Sequence, residues 1–600
     1  MNKKETKSGR EKLFWGITIL IPLILLAVIE FSLHLFEYDQ GREELFIEYQ
    51  VDDKFLITNP KFVSRYFPAF QPKIAPNPFR KEKGENTFRV FVFGGSTAIG
   101  FPHNFYYSFA SQLEQKLLLN TNGLNVEVIN LGMTAVNSYV IRDLSKRVME
   151  YEPDAIIIYA GHNEYYGSFG VGSTQFSLVN NLHIKRLVLR LKDVRLYRFL
   201  ENMLRISPEA SANADNRTLM AKVVKESNVE KGSKIYESGI KQYQENIRDV
   251  IDLSITNNVP VYIGTVGSNL KDQAPLGENE EALAAFEKGN RLYKAGEFEQ
   301  AFEEFEKSKE LDGIRFRAPE AINQFIVEAS YLDGVTLVNT QKLLREVSEN
   351  GIEDESIFVD HLHPNAKGHN LMAKIFLEKM FEHERVRSFV SLSDFDVPKD
   401  VSRFEDTFAN TLISRLEAGY PFKKGLSIEE ELAQFQNVYQ KYLDASYIDS
   451  VAAVTARNNK FVPVALTEVV NKAREAEDSI AVASHYYELL KWQTNSIDLI
   501  EKGIEYSVNN KSLEVYLVNM LVSILNDGNY DPRYMDVLSA IYIMNEELEK
   551  AKYWLDESEK IDPSSANMLY NFVRYHFSLG ETQKAGEYYS RFIEVRGQSR

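Results

Sequence analysis

The pattern of apolar and polar positions divides the chain into three unlike stretches. Near the amino terminus, Leu13 to Ile29 carries no charge and continues past Glu30 through Phe31, Leu33, Leu35 and Phe36, which is long enough for a membrane-spanning helix. From residue 85 the pattern changes to short apolar runs, most of them ending at glycine: FRVFVFGG at 88–95, VEVINLG at 126–132, AIIIYAG at 155–161, VPVYIG at 259–264 and GVTLVNT at 334–340. Helical periodicity fills intervals at 107–119, 138–150, 319–331 and 366–381. Strands alternating with helices predict an α/β domain, three layers deep (α/β/α), around a mostly parallel sheet. Beyond Glu384 the sheet-like runs stop, and 428–597 is helical in period throughout.

Two helical stretches carry a repeat signature. Within 277–313, Gly289, Tyr293, Gly296, Ala301 and Phe305 stand at the offsets of a tetratricopeptide-like helical hairpin. Farther on, Ala551 and Ala585 are 34 residues apart, as are Trp554 and Tyr588. A lone hairpin cannot bury its own face, so the 277–313 insertion is expected to dock on the α/β domain. The carboxyl-terminal stack is expected to offer a concave face to a protein partner and to be separable from the chemistry.

The expected organisation is a cytoplasmic tail at 1–12, a transmembrane signal anchor at 13–36 and a lead-in at 37–84. The α/β domain follows at 85–384 with its insertion, then a connecting region at 385–427 and an all-α tetratricopeptide-like region at 428–600. Lys3, Lys4, Lys7, Arg10 and Lys12 precede the apolar run, and no small-x-small cleavage pattern follows it. The positive-inside rule then makes the chain a single-pass membrane protein with its large part extracytoplasmic, periplasmic or at the cell surface. A net charge of -17 argues against a nucleic-acid partner. The chain has no cysteine, which excludes thiolate catalysis and cysteine-ligated zinc. No cofactor is expected. No metal is expected either, because His361 and His363 lack a third ligand at a matching spacing.

The candidate chemistry begins at Ser96, on the turn that ends the run at 88–95. In an open α/β sheet, side chains at strand ends point into the crevice where reactive groups collect. A serine needs a base, and DHLHP at 360–364 offers one: Asp360, three residues before His363, could hold the imidazole while its far nitrogen takes the Ser96 proton. His361 is expected to point elsewhere. Two other strand ends could serve the developing oxyanion, Gly132 through a backbone N–H and Asn163 through its amide.

Ser96, Gly132, Asn163 and His363 in this order, with Asp360 three before the histidine, resemble the SGNH (GDSL-like) hydrolase superfamily over about 85–270 and 316–384. The resemblance implies Ser96 as nucleophile and as a further oxyanion donor through its own N–H, with Gly132 and Asn163 completing the hole. Asp360 and His363 would activate the serine. The sequence departs from the commonest form in reading Gly94-Gly95-Ser96-Thr97 for Gly-Asp-Ser-Leu and Asn163-Glu164 for Asn-Asp. The expected function is a serine esterase cleaving O-acyl, chiefly O-acetyl, esters through an acyl-enzyme, with an ester or acylated carbohydrate as substrate. An O-acyltransferase acting on a cell-surface polysaccharide and an inactive scaffold recruiting envelope partners are the alternatives.

Overall fold

The computed structural model describes residues 5–50, 52–67, 72, 74–120, 125–174, 180–204, 220, 223–225, 227–382, 386–387, 401–492, 497–500, 502, 511–526 and 531–598. Helix α1 (Glu5–Leu35) contains Phe14–Leu35, with mean hydropathy 2.4 and no part of it buried, long and apolar enough to cross a membrane. The stretch 37–84, read from sequence as a lead-in, contains a small antiparallel sheet of β1 (Phe46–Tyr49), β2 (Asp52–Thr58) and β3 (Phe79–Arg80). Its aromatic residues belong to the main core: the Phe46 ring meets Phe79 edge-on at 4.8 Å and Tyr151 at 4.9 Å.

The main sheet runs β5 (Asn125–Asn130), β4 (Thr87–Gly94), β6 (Ala155–Tyr159), β7 (Val261–Gly264) and β8 (Val335–Val338), in that spatial order and parallel throughout. Strand β4 is buried along its whole length, as a parallel strand covered on both faces must be, and this explains its nearly continuous apolar run. Its one charge, Arg89, is satisfied at the amino end by Glu127 at 2.6 Å and by the carbonyls of Tyr151 and Arg80. Helices α2 (Ser96–Ile99), α3 (Phe109–Leu119) and α4 (Ser138–Val148) follow the first strands. Next come α5 (Leu182–Leu191), α6 (Arg195–Leu204) and α7 (Lys234–Thr256). The chain leaves β4 for β5 on one side and later enters β6 on the other, so the order reverses at β4 and opens a crevice beyond its carboxyl end.

The insertion is a helical hairpin, α8 (Glu280–Lys294) and α9 (Phe298–Leu311), with Gly289 lying against the Phe305 ring. It docks through Ala301 and Phe305 onto Leu270 and Ile352. Helices α10 (Glu320–Ala329), α11 (Thr340–Val347) and α12 (Ala366–Phe381) complete the α/β part. Within 385–427, read as a connection, lies α13 (Arg403–Glu417), and Leu416, Tyr420 and Phe422 pack on the main core. The region beyond is helical: α14 (Ile428–Ala445), α15 (Tyr447–Arg457), α16 (Val462–Glu475) and α17 (Ser479–Trp492), then α18 (Lys511–Asn526), α19 (Pro532–Met544), α20 (Leu548–Ile561), α21 (Ala566–Ser578) and α22 (Thr582–Gln598). Ala551 and Ala585 are both buried where these helices pack.

Candidate active site

Strand β4 delivers its last residue, Gly94, to a turn in which Gly95 precedes α2, and Ser96 is the first residue of that helix. A Cβ at Gly95 would stand 2.5 Å from Asn163 Nδ2, so only glycine lets the amide come this close to the serine turn. The base arrives on a separate loop. Phe358 and Pro364 form an isolated bridge, Val359 N–H donates to His363 O at 2.9 Å, and Asn365 N–H donates to Ile357 O at 2.7 Å. This knot presents residues 360–363 as one rigid unit, fastened to the segment after β7 by Asn269 N–H donating to His361 O.

The side chains meet in a continuous chain. His363 Nε2 lies 2.7 Å from Ser96 Oγ, and His363 Nδ1 lies 2.6 Å from Asp360 Oδ2. Asp360 Oδ1 accepts the backbone N–H groups of Leu362 at 2.9 Å and His363 at 2.8 Å, so both carboxylate oxygens are used. Burial opposes the Asp360 charge, but the neighbouring His363 and His361 imidazoles and the hydrogen bond from His363 hold its carboxyl well below the usual range. An ionised Asp360 fixes the proton on His363 Nδ1 and leaves Nε2 as the acceptor facing the serine. Ser96, Asp360 and His363 are all buried, and the Phe101 ring meets His363 edge-on at 4.8 Å.

The two candidate oxyanion donors fare differently. Asn163 is half-buried against Gly95, and its side-chain amide makes no hydrogen bond among the described residues. Gly132 is a packing glycine. Its N–H donates to Asn130 Oδ1 at 2.9 Å, and a Cβ there would stand 2.6 Å from the backbone N of Ile99. The same loop supplies Ala135, whose backbone is left-handed at φ 61° and whose N–H has no partner among the described residues. The next carbonyl, Val136 O, would be 3.8 Å from a Cβ on Gly95. Ser96 N–H is also unpaired there, as expected for the first residue of a helix.

Further residues frame the site. His361 is buried against Phe316 and Phe422, and burial pushes its pKa down. Asp360, His361 and His363 present ligand-type atoms within 4.8 Å of one another, so Asp360 is the third group that spacing alone did not supply. A cation there would have to displace the hydrogen bonds of Asp360 and His363. His162 is pushed to about 3 by burial, and its Nδ1 accepts Ala318 N–H at 3.1 Å. Glu164 caps α4, accepting Ser138 N–H at 3.1 Å and Ser138 Oγ–H at 2.8 Å; burial raises it to about 7.

Residues 90–376 match the GDSL-like Lipase/Acylhydrolase family. This part of the chain belongs to that family. The GDSL-like enzyme is an ester hydrolase. No curated protein sequence matches the chain. Among solved structures, an acetylxylan esterase from Geobacillus stearothermophilus, in a catalytic mutant form, is similar at 11% identity, covering 49% of this chain and 94% of its own with a TM-score of 0.26. A GDSL-like lipase from Bacteroides thetaiotaomicron is similar at 13% identity, with 50% and 93% covered and a TM-score of 0.25.

Sequence reasoning missed the groups that hold the serine loop from behind. Asn104 N–H donates to Glu405 Oε1 at 2.8 Å, and its side-chain amide donates to Glu405 Oε2 at 2.5 Å and Glu488 Oε1 at 2.8 Å. Ser402 Oγ–H donates to Glu488 Oε2 at 2.7 Å. The Trp492 ring stands edge-on to Phe105 at 4.5 Å and to Tyr106 at 4.9 Å. Thus α13 and α17 grip the segment that leads from α2 to α3.

Proposed function

We propose that this GDSL-like ester hydrolase is a membrane-anchored, extracytoplasmic esterase that removes small O-acyl groups, chiefly acetyl, from a hydroxylated polymer. The observation that carries the reading is the hydrogen-bonded chain Ser96, His363, Asp360. As Ser96 Oγ attacks the ester carbonyl, its proton passes to His363 Nε2, and Asp360 stabilises the imidazolium without taking a proton. The oxygen that becomes negative is received by Ser96 N–H, Ala135 N–H and the Asn163 amide, with Ala135 taking the place expected for Gly132. His363 returns its proton to the departing alcohol, and water attacks the acyl-enzyme by the same route reversed. The Phe101 ring, set edge-on to His363 at 4.8 Å, supports a reading in which the acyl group is short.

Anchoring rests on the apolar segment Phe14–Leu35, and orientation rests on the basic residues before it. The test uses full-length protein in membranes, with p-nitrophenyl acetate and acetylated oligosaccharides as substrates and a non-acetylated oligosaccharide as added acceptor. Acetate release unaffected by acceptor is expected. Acetyl appearing on the acceptor at the expense of free acetate would replace esterase by O-acyltransferase. Protease added to intact spheroplasts should digest the large region, and protection would reverse the orientation.

A further inference from the structure

Helix α6 has its polarity inside out. Arg195 and Arg198 are buried, held by Glu43 at 2.9 and 3.1 Å and by Asp39, whereas Leu200 and Met203 are 46% and 60% exposed. The preceding helix, α5, buries Lys185 and Leu189 against the catalytic domain and leaves Ile184 and Leu187 exposed. A soluble surface would place the arginines outward and the leucines inward.

The position of α6 explains this inversion. Both oxygens of Glu30, in α1, accept the first N–H groups of α6, Arg195 at 3.0 Å and Leu196 at 2.6 Å. Glu30 lies five residues before the end of the apolar segment, which at the rise of an α-helix is about 7.5 Å inside it. The contact continues outward through Tyr38 and Phe199, whose rings meet edge-on at 5.5 Å, and through Asn202 donating to Tyr38 OH at 3.0 Å. The exposed Leu200 and Met203 thus stand on a helix that packs against α1, where Phe31 and Leu35, and Phe36 just beyond its end, are exposed as well.

We infer that α5 and α6 form an in-plane membrane contact, with Ile184, Leu187, Leu200 and Met203 seated at the boundary between lipid headgroups and acyl chains. This rests on the reading that α1 spans a bilayer. The anchor then does not hold the catalytic domain on a free tether; two helices lock its orientation to the lipid surface.

The absence of cysteine makes the test direct, because each introduced thiol is unique. Full-length Leu187→Cys, Met203→Cys, Leu26→Cys and Tyr553→Cys variants, each carrying an environment-sensitive fluorophore, are reconstituted in phosphatidylcholine–phosphatidylglycerol vesicles with brominated acyl chains. Retained turnover of a small ester certifies folding. Labels at 187 and 203 should be quenched at a depth of about 5–10 Å, the label at 26 quenched more deeply, and the label at 553 not at all. Quenching at 26 without quenching at 187 and 203 would overturn the inference while leaving the anchor intact. No quenching at any site would remove the anchor and the inference together. A blue shift at 187 and 203 that bromolipid does not quench and that fades as protein is diluted in lipid would assign the face to a second copy of the chain, also overturning it.

Discussion

The insertion hairpin and the carboxyl-terminal helices are both stacks of antiparallel helices, yet the contacts at the centre of their two attachments to the catalytic domain differ in kind. Hairpin α8–α9 docks through an apolar seam, Ala301 and Phe305 on Leu270 and Ile352, and its chain returns through Asp312, which accepts the N–H groups of Leu276 and Gly277. The carboxyl-terminal region uses two buried carboxylates, Glu405 and Glu488, converging on Asn104. Apolar seams tolerate small slips, but a buried carboxylate that loses its donors pays a large desolvation cost, so the second attachment admits one geometry. Glu488, in the region expected to be separable from the chemistry, thus reaches the segment that follows the serine helix.

The largest expected effects set the baseline for this contrast. Ser96→Ala and His363→Ala should each lower turnover of a small ester by about 10⁴-fold or more, with folding verified by circular dichroism. Asp360→Ala should cost less than either, because it orients the base and takes no proton. Near wild-type turnover in Ser96→Ala would remove the esterase reading. Asn163→Ala should cost about 10²-fold in kcat, as expected for one oxyanion donor.

The contrast itself is tested next. The Glu405→Ala/Glu488→Ala double variant should lower kcat by up to about 10²-fold, the scale of an ångström-sized displacement of a catalytic group. Phe305→Ala in the hairpin should destabilise the protein by about 3–5 kcal/mol and leave kcat for a small ester nearly unchanged. Steady-state kinetics and thermal melting on both variants decide it: if Phe305→Ala is the more damaging to kcat, the two attachments have been ranked wrongly.

The smallest effect is a pH dependence. Glu164 titrates at about 7 in the folded chain against 4.5 as its ordinary value, because burial disfavours its charge. Between these values the folded state binds more protons than the unfolded state, so this group makes stability fall as pH rises from about 4.5 to about 7. Glu164→Gln should flatten that part of the Tm profile. An unchanged slope between pH 5 and 7 would show that Glu164 is not the group responsible.

The parallel sheet and the Ser96, Asp360 and His363 chain were legible because each rests on a short window. A fully buried strand reads as an unbroken apolar run, and DHLHP carries base and carboxylate within four residues. The proposed mechanism moves the oxyanion donor from Gly132, whose N–H is already donated to Asn130 and which drew the eye because glycine advertises backbone freedom, to Ala135. The residue that adopts the left-handed backbone there is Ala135, and an alanine carries no such mark. Helices α5 and α6 were not read at all, since a buried lysine in the one and buried arginines in the other, with leucines left exposed, defeat an amphipathic search. Glu405 and Glu488 were hidden for another reason. They meet Asn104 across 301 and 384 residues, and single polar residues at such separations leave no periodic trace.

The separation of the proposed nucleophile and base orders the birth of the enzyme. Ser96 and His363 are 267 residues apart, and the whole hairpin insertion is made between them. A ribosome delivering this chain releases the nucleophile long before its base, and the clamp on Asn104 closes only when residue 488 emerges. Fragments that end before residue 363 lack the base altogether, and the full set of contacts around Asn104 is complete only after most of the polypeptide has been made.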